Sequence, residues 1–138
     1  MTDAYTGGCA CGGIRYSCTG EPLYMGNCHC RDCQRATGSA FFPAVLFKGE
    51  NFTLEKGEPS WYEVAADSGV AIRRAFCPSC GSPVFIENGA RPGNRVLYAG
   101  SLDDPSRYDP SRNIYVASAQ PWAMLHPDLP KDDGMPGR

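Results

Sequence analysis

Short apolar or alternating segments run through most of the chain, separated by turns rich in glycine, proline and polar residues. In residues 13–18, GIRYSC, the side chains of Ile14, Tyr16 and Cys18 alternate with small or polar ones, as expected of a strand with one buried face. Similar segments predict further strands at residues 40–47, 51–55, 60–64, 70–77, 83–87, 95–100 and 113–117. We therefore predict a mainly β fold built of short antiparallel sheets.

Helical signals are few. Residues 31–37, RDCQRAT, can form a short helix, because Gly38 follows as a C-terminal stop, and a turn is predicted at residues 105–108. The composition agrees, since 16 Gly and 12 Pro suit turns and short strands better than long helices. We expect the helix to begin inside a cluster of cysteines.

The length of 138 residues is that of one domain, and the sequence shows no repeat or internal linker. We predict a single domain at residues 1–126. The remaining segment, PDLPKDDGMPGR at residues 127–138, is polar and rich in proline and glycine, so a loosely ordered tail is expected there.

Charge and hydropathy exclude several classes of partner. The apolar run AFFPAVLF at residues 40–47 is far shorter than the ~20 residues of a membrane helix, and the N-terminus lacks the features of a secretory signal. We therefore expect a cytoplasmic protein that does not bind membranes. A net charge of -2 without a Lys/Arg stripe also argues against nucleic acid as a partner.

Eight cysteines in a cytoplasmic chain favour metal binding over disulfides, because a reducing compartment keeps thiols free. The segment CPSCG at residues 77–81 has the spacing of a zinc knuckle, and GGCACGG at residues 7–13 places two thiols on one side of an extended segment. We predict a structural zinc site with four ligands, which are Cys9, Cys11, Cys77 and Cys80. The alternative for Cys77 and Cys80 is a redox pair.

The segment NCHCRDCQ at residues 27–34 supplies a second group, which we call the cysteine triplet: Cys28, Cys30 and Cys33. Cys28 and Cys30 share one side of an extended segment, and Cys33 returns to that side if a helix begins here. Three protein ligands with an open fourth position are typical of a catalytic zinc, so we predict that the triplet is both metal-binding and catalytic. The alternative is that Cys18 or His29 closes the site as a fourth ligand.

Three other residues with metal-binding side chains are assigned different roles. Cys18 ends an alternating pattern, so we predict a buried apolar side chain. His29 would point away from its neighbouring cysteines on an extended segment and is predicted to be a pocket or surface residue. His126 lies in a proline-rich stretch and is predicted to be at the surface.

Several ordered motifs together resemble the glutathione-dependent formaldehyde-activating family, also called centromere protein V-like, which has a β-tent fold. These motifs are GGCACGGIRY, NCHCRDCQRATGSAF, FCPSCGSPVF, GSLDD and QPWAMLHPDLP, and they extend over nearly the whole chain. The resemblance implies a structural zinc at Cys9, Cys11, Cys77 and Cys80 and a more labile zinc at the triplet, where the substrate thiol binds. Both assignments agree with the sorting by spacing, and they give two zinc ions per chain.

The resemblance also implies an activity, the condensation of glutathione with formaldehyde to S-hydroxymethylglutathione, which is formally a carbon–sulfur lyase reaction run in reverse. A charged tripeptide needs partners for its carboxylates. Arg31 and Arg35 flank the triplet and are predicted to bind the substrate, with Lys48, Arg73 and Arg74 as further candidates. No peptide-recognition segment is identified in the chain, so a related small thiol and aldehyde pair is included in the prediction.

The same cysteines allow three other functions. A non-enzymatic zinc module that binds a protein partner would have its triplet closed by a fourth ligand. A zinc ribbon that binds nucleic acid is disfavoured by the acidic balance. A redox reductase would need a low-pKa thiol pair, which Cys30 and Cys33 could supply if zinc were lost.

Overall fold

The computed structural model describes residues 3–66 and 68–135, and strands dominate this part of the chain. The described elements are β1 (Tyr5–Gly8), β2 (Arg15–Cys18), β3 (Tyr24–Cys28), α1 (Arg31–Thr37), β4 (Phe42–Phe47), β5 (Phe52–Lys56), β6 (Ser60–Ala65), β7 (Ala71–Phe76), β8 (Pro83–Asn88), β9 (Arg95–Tyr98) and β10 (Asn113–Ile114). The predicted mainly β fold is confirmed.

The described strands form two sheets. The smaller sheet has the order β1-β2-β5 and the larger has the order β10-β3-β4-β9-β8-β7-β6. Neighbouring strands are antiparallel, apart from the parallel pairing of β10 with β3. Aromatic contacts join the two sheets, with Tyr5 and Phe47 ring centroids 5.2 Å apart and Phe52 and Phe85 centroids 4.8 Å apart. The two sheets thus pack around one apolar cluster as an open β-tent, and a second cluster, which includes Phe42, Ile86 and Tyr98, surrounds Cys28 and Cys33.

The helix lies where the sequence predicts it. It begins after Cys30, whose backbone is extended with φ -64° and ψ 155°, and it ends at Gly38, which has φ 66°. A left-handed residue at this position closes a helix because it directs its N–H to a carbonyl of the last turn, here that of Gln34. The predicted turn near residue 105 is a 3₁₀ turn over Pro105–Arg107.

Two strands, β1 and β3, are absent from the sequence-based prediction. Both contain residue types that are rare in strands, Gly7 in β1 and Gly26 and Asn27 in β3. The structure explains Gly7, because a Cβ there would overlap the Tyr16 hydroxyl and a backbone oxygen of Ser101. Close approach of neighbouring chain, rather than strand propensity, selects glycine at this position.

The strand predicted at residues 113–117 is too long. Only Asn113–Ile114 pairs with β3, and a 3₁₀ turn follows at Val116–Ser118. The reason is Tyr115, which has a left-handed backbone with φ 57° and cannot continue a strand.

Residues 130–134 lie against the edge of the larger sheet. The N–H of Asn113 donates to the Pro130 oxygen at 2.9 Å, and the N–H of Asp132 donates to the Asn113 oxygen at 3.0 Å. Arg112 also pairs with Asp132 at 3.1 Å. The division into a domain at residues 1–126 and a tail at residues 127–138 stays a prediction, and residues 136–138 lie outside the described part.

Across residues 3–66 and 68–135, no helix has the length and apolar character to span a membrane.

Candidate metal centres

The four cysteines predicted as one set meet at one point of the fold. Cys9 and Cys11 lie in the turn between β1 and β2, and Cys77 and Cys80 lie in the turn between β7 and β8. All four sulfur atoms are within 4.8 Å of one another. The Cys9 and Cys11 sulfurs are 3.6 Å apart and those of Cys11 and Cys77 are 3.7 Å apart, close to the about 3.8 Å edge of a tetrahedron with Zn–S bonds of about 2.3 Å. This four-cysteine set joins the two sheets and fits a tetrahedral metal.

Hydrogen bonds reach several of these sulfurs, and they lower the thiol pKa of Cys9 and Cys80, whereas the hydrogen-bonded neighbours Cys9, Cys77 and Cys80 raise that of Cys11 to about 11. The N–H of Ile14 donates to Cys9 Sγ at 3.2 Å, and the N–H of Cys80 donates to Cys77 Sγ at 3.5 Å. Hydrogen bonding to Ser82, whose Oγ is 3.2 Å from Cys80 Sγ, lowers the pKa of Cys80 to about 5. Thiolates are the form in which cysteine binds metal, so the surroundings of Cys9 and Cys80 suit metal ligands.

The triplet forms where β3 leads into α1. Cys28 is the last residue of β3, Cys30 is the N-cap of α1 and Cys33 lies in its first turn. Their three sulfur atoms are within 4.8 Å of one another. The N–H of Cys33 donates to Cys30 Sγ at 3.2 Å, which caps the helix with a sulfur atom. An extended segment that turns directly into a helix therefore brings the three thiols to one side.

Hydrogen bonds among the sulfurs of the triplet shift their pKa values in opposite directions. Hydrogen bonds from the thiols of Cys28 and Cys33 lower the pKa of Cys30 to about 2, and the hydrogen bond to Cys30 is the main cause of the raised pKa of Cys28. The hydrogen bonds among the three sulfurs thus favour one thiolate in the group. Binding of a metal would displace the remaining protons.

Within the described residues, no fourth Cys, His, Asp or Glu ligand atom joins the triplet. Cys18 is fully buried in the core, which confirms its prediction as an apolar side chain, and burial raises its pKa to about 12. His126 is exposed, as predicted.

The prediction that His29 is a pocket or surface residue is wrong. Its side chain is 1% exposed, its ring packs on Phe41 with centroids 5.2 Å apart, and its Nε2 lies 3.0 Å from Asn113 Oδ1. The cause is the pairing of β10 with β3, because the His29 N–H donates to the Ile114 oxygen and the chain after β3 is covered there. His29 therefore contacts the sheet edge rather than the triplet's open side.

A glutamine that sequence reasoning missed holds the triplet in place. Gln34 Nε2 donates to the backbone oxygens of His29 at 2.7 Å and Ser118 at 3.0 Å. Its Oε1 accepts from Gln120 Nε2 at 3.1 Å and from the guanidinium of Arg31. Arg31, predicted to bind substrate, is thus also part of this network.

Arg74 brings positive charge to the triplet. Its Nη2 is 3.8 Å from Cys33 Sγ, and its Nη1 donates to the Tyr98 hydroxyl at 2.9 Å. Arg74 was one of five basic candidates, whereas Tyr98 was not identified. The sequence does contain a signal for Arg74, because neighbouring strand residues point to opposite faces and one of Arg73 and Arg74 must face inwards. Arg73 takes the outer face, over the Trp61 ring.

A groove of about 460 Å³ lies beside the triplet, between α1 and the strands β6 and β7. Arg35, Tyr62, Arg74 and Tyr98 are among the residues that line it. Arg35 is therefore placed where a bound molecule could contact it. The last of the five basic candidates, Lys48, is exposed next to the 3₁₀ turn Gly49–Asn51 that precedes β5.

Sets of four and three sulfur donors suit a thiophilic metal such as zinc.

A crystal structure of a Rhodobacter sphaeroides protein matches this fold with a TM-score of 0.58 and 19% sequence identity, over 74% of this chain and 93% of that chain. No protein of curated function matches the sequence. The profile of the glutathione-dependent formaldehyde-activating enzyme family matches residues 4–118, which include all seven clustered cysteines. Because this match extends over most of the chain, the protein belongs to that family.

Proposed function

We propose that this protein is a zinc-dependent carbon–sulfur lyase that joins a small thiol to an aldehyde. Glutathione and formaldehyde, which give S-hydroxymethylglutathione, are the proposed pair, and a related thiol and aldehyde is the broader form of the proposal. The observation that carries it is the triplet, three sulfurs within 4.8 Å of one another that no further ligand atom joins among the described residues. Membership of the family supports the same chemistry.

Two zinc ions per chain are proposed, one at the four-cysteine set and one at the triplet. The triplet's zinc, when bound, supplies a position at which a substrate sulfur stays deprotonated at neutral pH. Cys28, Cys30 and Cys33 hold this position, and Gln34 fixes the separation of the segments that carry them. The four-cysteine set has a structural role, since it joins the two sheets.

Basic side chains on α1 are the proposed partners for the carboxylates of the thiol. Arg31 and Arg35 are both exposed, and Arg35 lines the groove beside the triplet. A guanidinium binds a carboxylate through two parallel hydrogen bonds, which would orient a substrate as well as attract it.

We also propose a cytoplasmic location and no nucleic-acid partner. None of the eight cysteines forms a disulfide, which suits a reducing compartment, and the net charge is -2. The thiolates of both sets together carry more negative charge than two zinc ions carry positive charge. Zinc binding would therefore make the net charge of the protein more negative.

Two-dimensional exchange NMR on glutathione and formaldehyde tests the activity. The zinc-loaded protein should accelerate exchange between free and adduct forms, and the Cys30→Ser variant should not. If wild type and buffer give equal exchange rates with glutathione and with other small thiols, the enzyme proposal fails. That result would favour a non-enzymatic zinc module instead.

A further inference from the structure

Arg74 is a buried arginine without a carboxylate partner in the part of the chain that the structure describes. Four other arginines do pair with Asp or Glu; these are Arg15, Arg73, Arg95 and Arg112. Arg74 is only 9% exposed, and its hydrogen bonds go to Tyr98 and to the sulfur of Cys33. Burying a guanidinium is unfavourable unless an anion compensates it, and a Cys33 thiolate would do so, so Arg74 favours negative charge at and beside the triplet.

Tyr98 adds a second donor at the same place. Its hydroxyl oxygen accepts from Arg74 at 2.9 Å, so its own proton remains available for a hydrogen bond to another acceptor. Its ring is fixed in β9, 5% exposed and packed on Phe42 with centroids 4.3 Å apart. Arg74 and Tyr98 both line the groove, and Arg74 also contacts Cys33 Sγ, so a molecule bound there would meet the two donors on the side of the triplet.

We propose that Arg74 and Tyr98 bind the carbonyl oxygen of the aldehyde and stabilise the negative charge that it acquires during addition of the thiol. The inference rests on the proposed function and names the residues that act on its second substrate. Fixed donors aimed at a developing oxyanion are a large source of rate enhancement in enzymes.

The step balances without a further reactant. The electron pair of the substrate sulfur forms the new carbon–sulfur bond, and the π bond of the carbonyl breaks, with its electron pair moving to oxygen. This oxygen, held by Arg74 and Tyr98, takes a proton from water in the groove, while the proton lost by the thiol passes to solvent. Thiol and aldehyde thus give the S-hydroxyalkyl adduct without net oxidation or reduction.

Conservative variants test the pair. Tyr98→Phe keeps the aromatic ring but removes the hydroxyl donor. Arg74→Lys keeps the positive charge but removes the planar set of guanidinium N–H donors. Exchange NMR at varied glutathione and formaldehyde concentrations gives kcat and KM, and calorimetry gives the Kd for glutathione alone. We expect kcat to fall about 100-fold for Tyr98→Phe. Affinity for glutathione should change by less than about threefold, because the pair contacts the aldehyde oxygen.

Matched controls remove the same groups elsewhere. Tyr16→Phe deletes a buried hydroxyl that lies 2.6 Å from Ser101 Oγ, and Arg95→Lys changes an arginine that pairs with Glu87 at 3.0 Å. Neither residue lines the groove. Both variants should be less stable than wild type but should keep its kcat.

Each other outcome overturns the inference in a distinguishable way. If Tyr98→Phe and Arg74→Lys weaken glutathione binding but keep kcat, the pair binds a group of the thiol instead. Kinetics equal to wild type would show that the pair contributes nothing, and loss of zinc from both variants would make its role structural. Wild-type protein that neither binds a thiol nor accelerates the exchange would overturn the proposed function and this inference together.

Discussion

Gln34 Nε2 donates a hydrogen bond of 2.7 Å to the backbone oxygen of His29, the residue between Cys28 and Cys30. Gln34 is also the neighbour of Cys33 in α1. One buried side chain therefore joins the helix that carries the third cysteine to the segment that carries the first two. The spacing of the three sulfurs depends on this amide as well as on any metal they bind.

We predict that Gln34→Leu loosens metal binding at the triplet. Leucine has a similar volume but leaves the His29 oxygen without its donor, and loss of such supporting hydrogen bonds lowers metal affinity about 10- to 100-fold. The rate at which a chromophoric chelator removes zinc should rise by a similar factor for one of the two zinc equivalents, the one at the triplet. Gln120→Leu is the control, because it removes only a bond to Gln34 Oε1 and should change the rate less than about threefold. Equal rates for wild type and Gln34→Leu would contradict this role.

The parts of the fold predicted from sequence depend on short-range signals. Spacing identified two cysteine pairs and the triplet, because ligands two or three positions apart are placed by local backbone geometry, and the two pairs were joined because together they complete a tetrahedral set. The helix at residues 31–37 was predicted for the same reason, since Gly38 ends it through its own left-handed conformation.

The missed features depend on contacts between distant parts of the chain. Burial of His29 follows from Asn113, 84 positions away, and the partner of Arg74 is Tyr98, 24 positions away. Neither contact leaves a periodic pattern, because strand pairing and register decide which residues face each other. The sequence predicts that one of Arg73 and Arg74 faces the interior of the protein. It does not predict which residues that arginine contacts.

We predict that His29→Gln retains two zinc ions per chain. Glutamine can still bond to Asn113, and His29 is placed against β10 rather than among the triplet's sulfurs. Metal analysis of freshly purified, reduced protein gives the measurement. A loss of one zinc with an unchanged circular dichroism spectrum would mean that His29 is a ligand after all.

Acidification should release the zinc of the triplet before the zinc of the four-cysteine set. A metal-bound thiolate has a pKa below that of the free thiol, so the stability it contributes is present at neutral pH and is lost as the pH falls. The triplet has three ligands and the other set has four, so we expect one zinc equivalent to appear first while the fold is retained. A zinc indicator and circular dichroism, followed in parallel during stepwise acidification, check this. Simultaneous release of both ions with unfolding would contradict it.

We predict no tight complex with DNA or RNA at physiological salt. The net charge of -2 cannot provide the counterion release that supports binding to phosphate backbones. Fluorescence anisotropy with labelled duplex and single-stranded oligonucleotides is the measurement. A submicromolar complex that weakens as salt rises would show that the charge argument fails.

The last prediction separates the two metal centres by their effect on stability. Cys11 and Cys77 are 66 positions apart and their sulfurs are 3.7 Å apart, so a metal shared by them closes a long loop and joins the two sheets. Binding free energy of a structural zinc is about 10 kcal/mol or more, comparable with the whole stability of a domain of about 5–15 kcal/mol. Cys77→Ser should therefore be insoluble or largely unfolded.

Cys30→Ser should behave differently, because the triplet spans only residues 28–33 and its metal constrains little of the unfolded chain. We expect this variant to remain folded, to retain about one zinc ion and to lose thiol binding and turnover. Circular dichroism, metal analysis and glutathione titration on both variants distinguish the two roles. If Cys30→Ser unfolds as Cys77→Ser does, the triplet is a structural site. If instead it stays folded and still turns over glutathione and formaldehyde, the chemistry takes place elsewhere in the molecule.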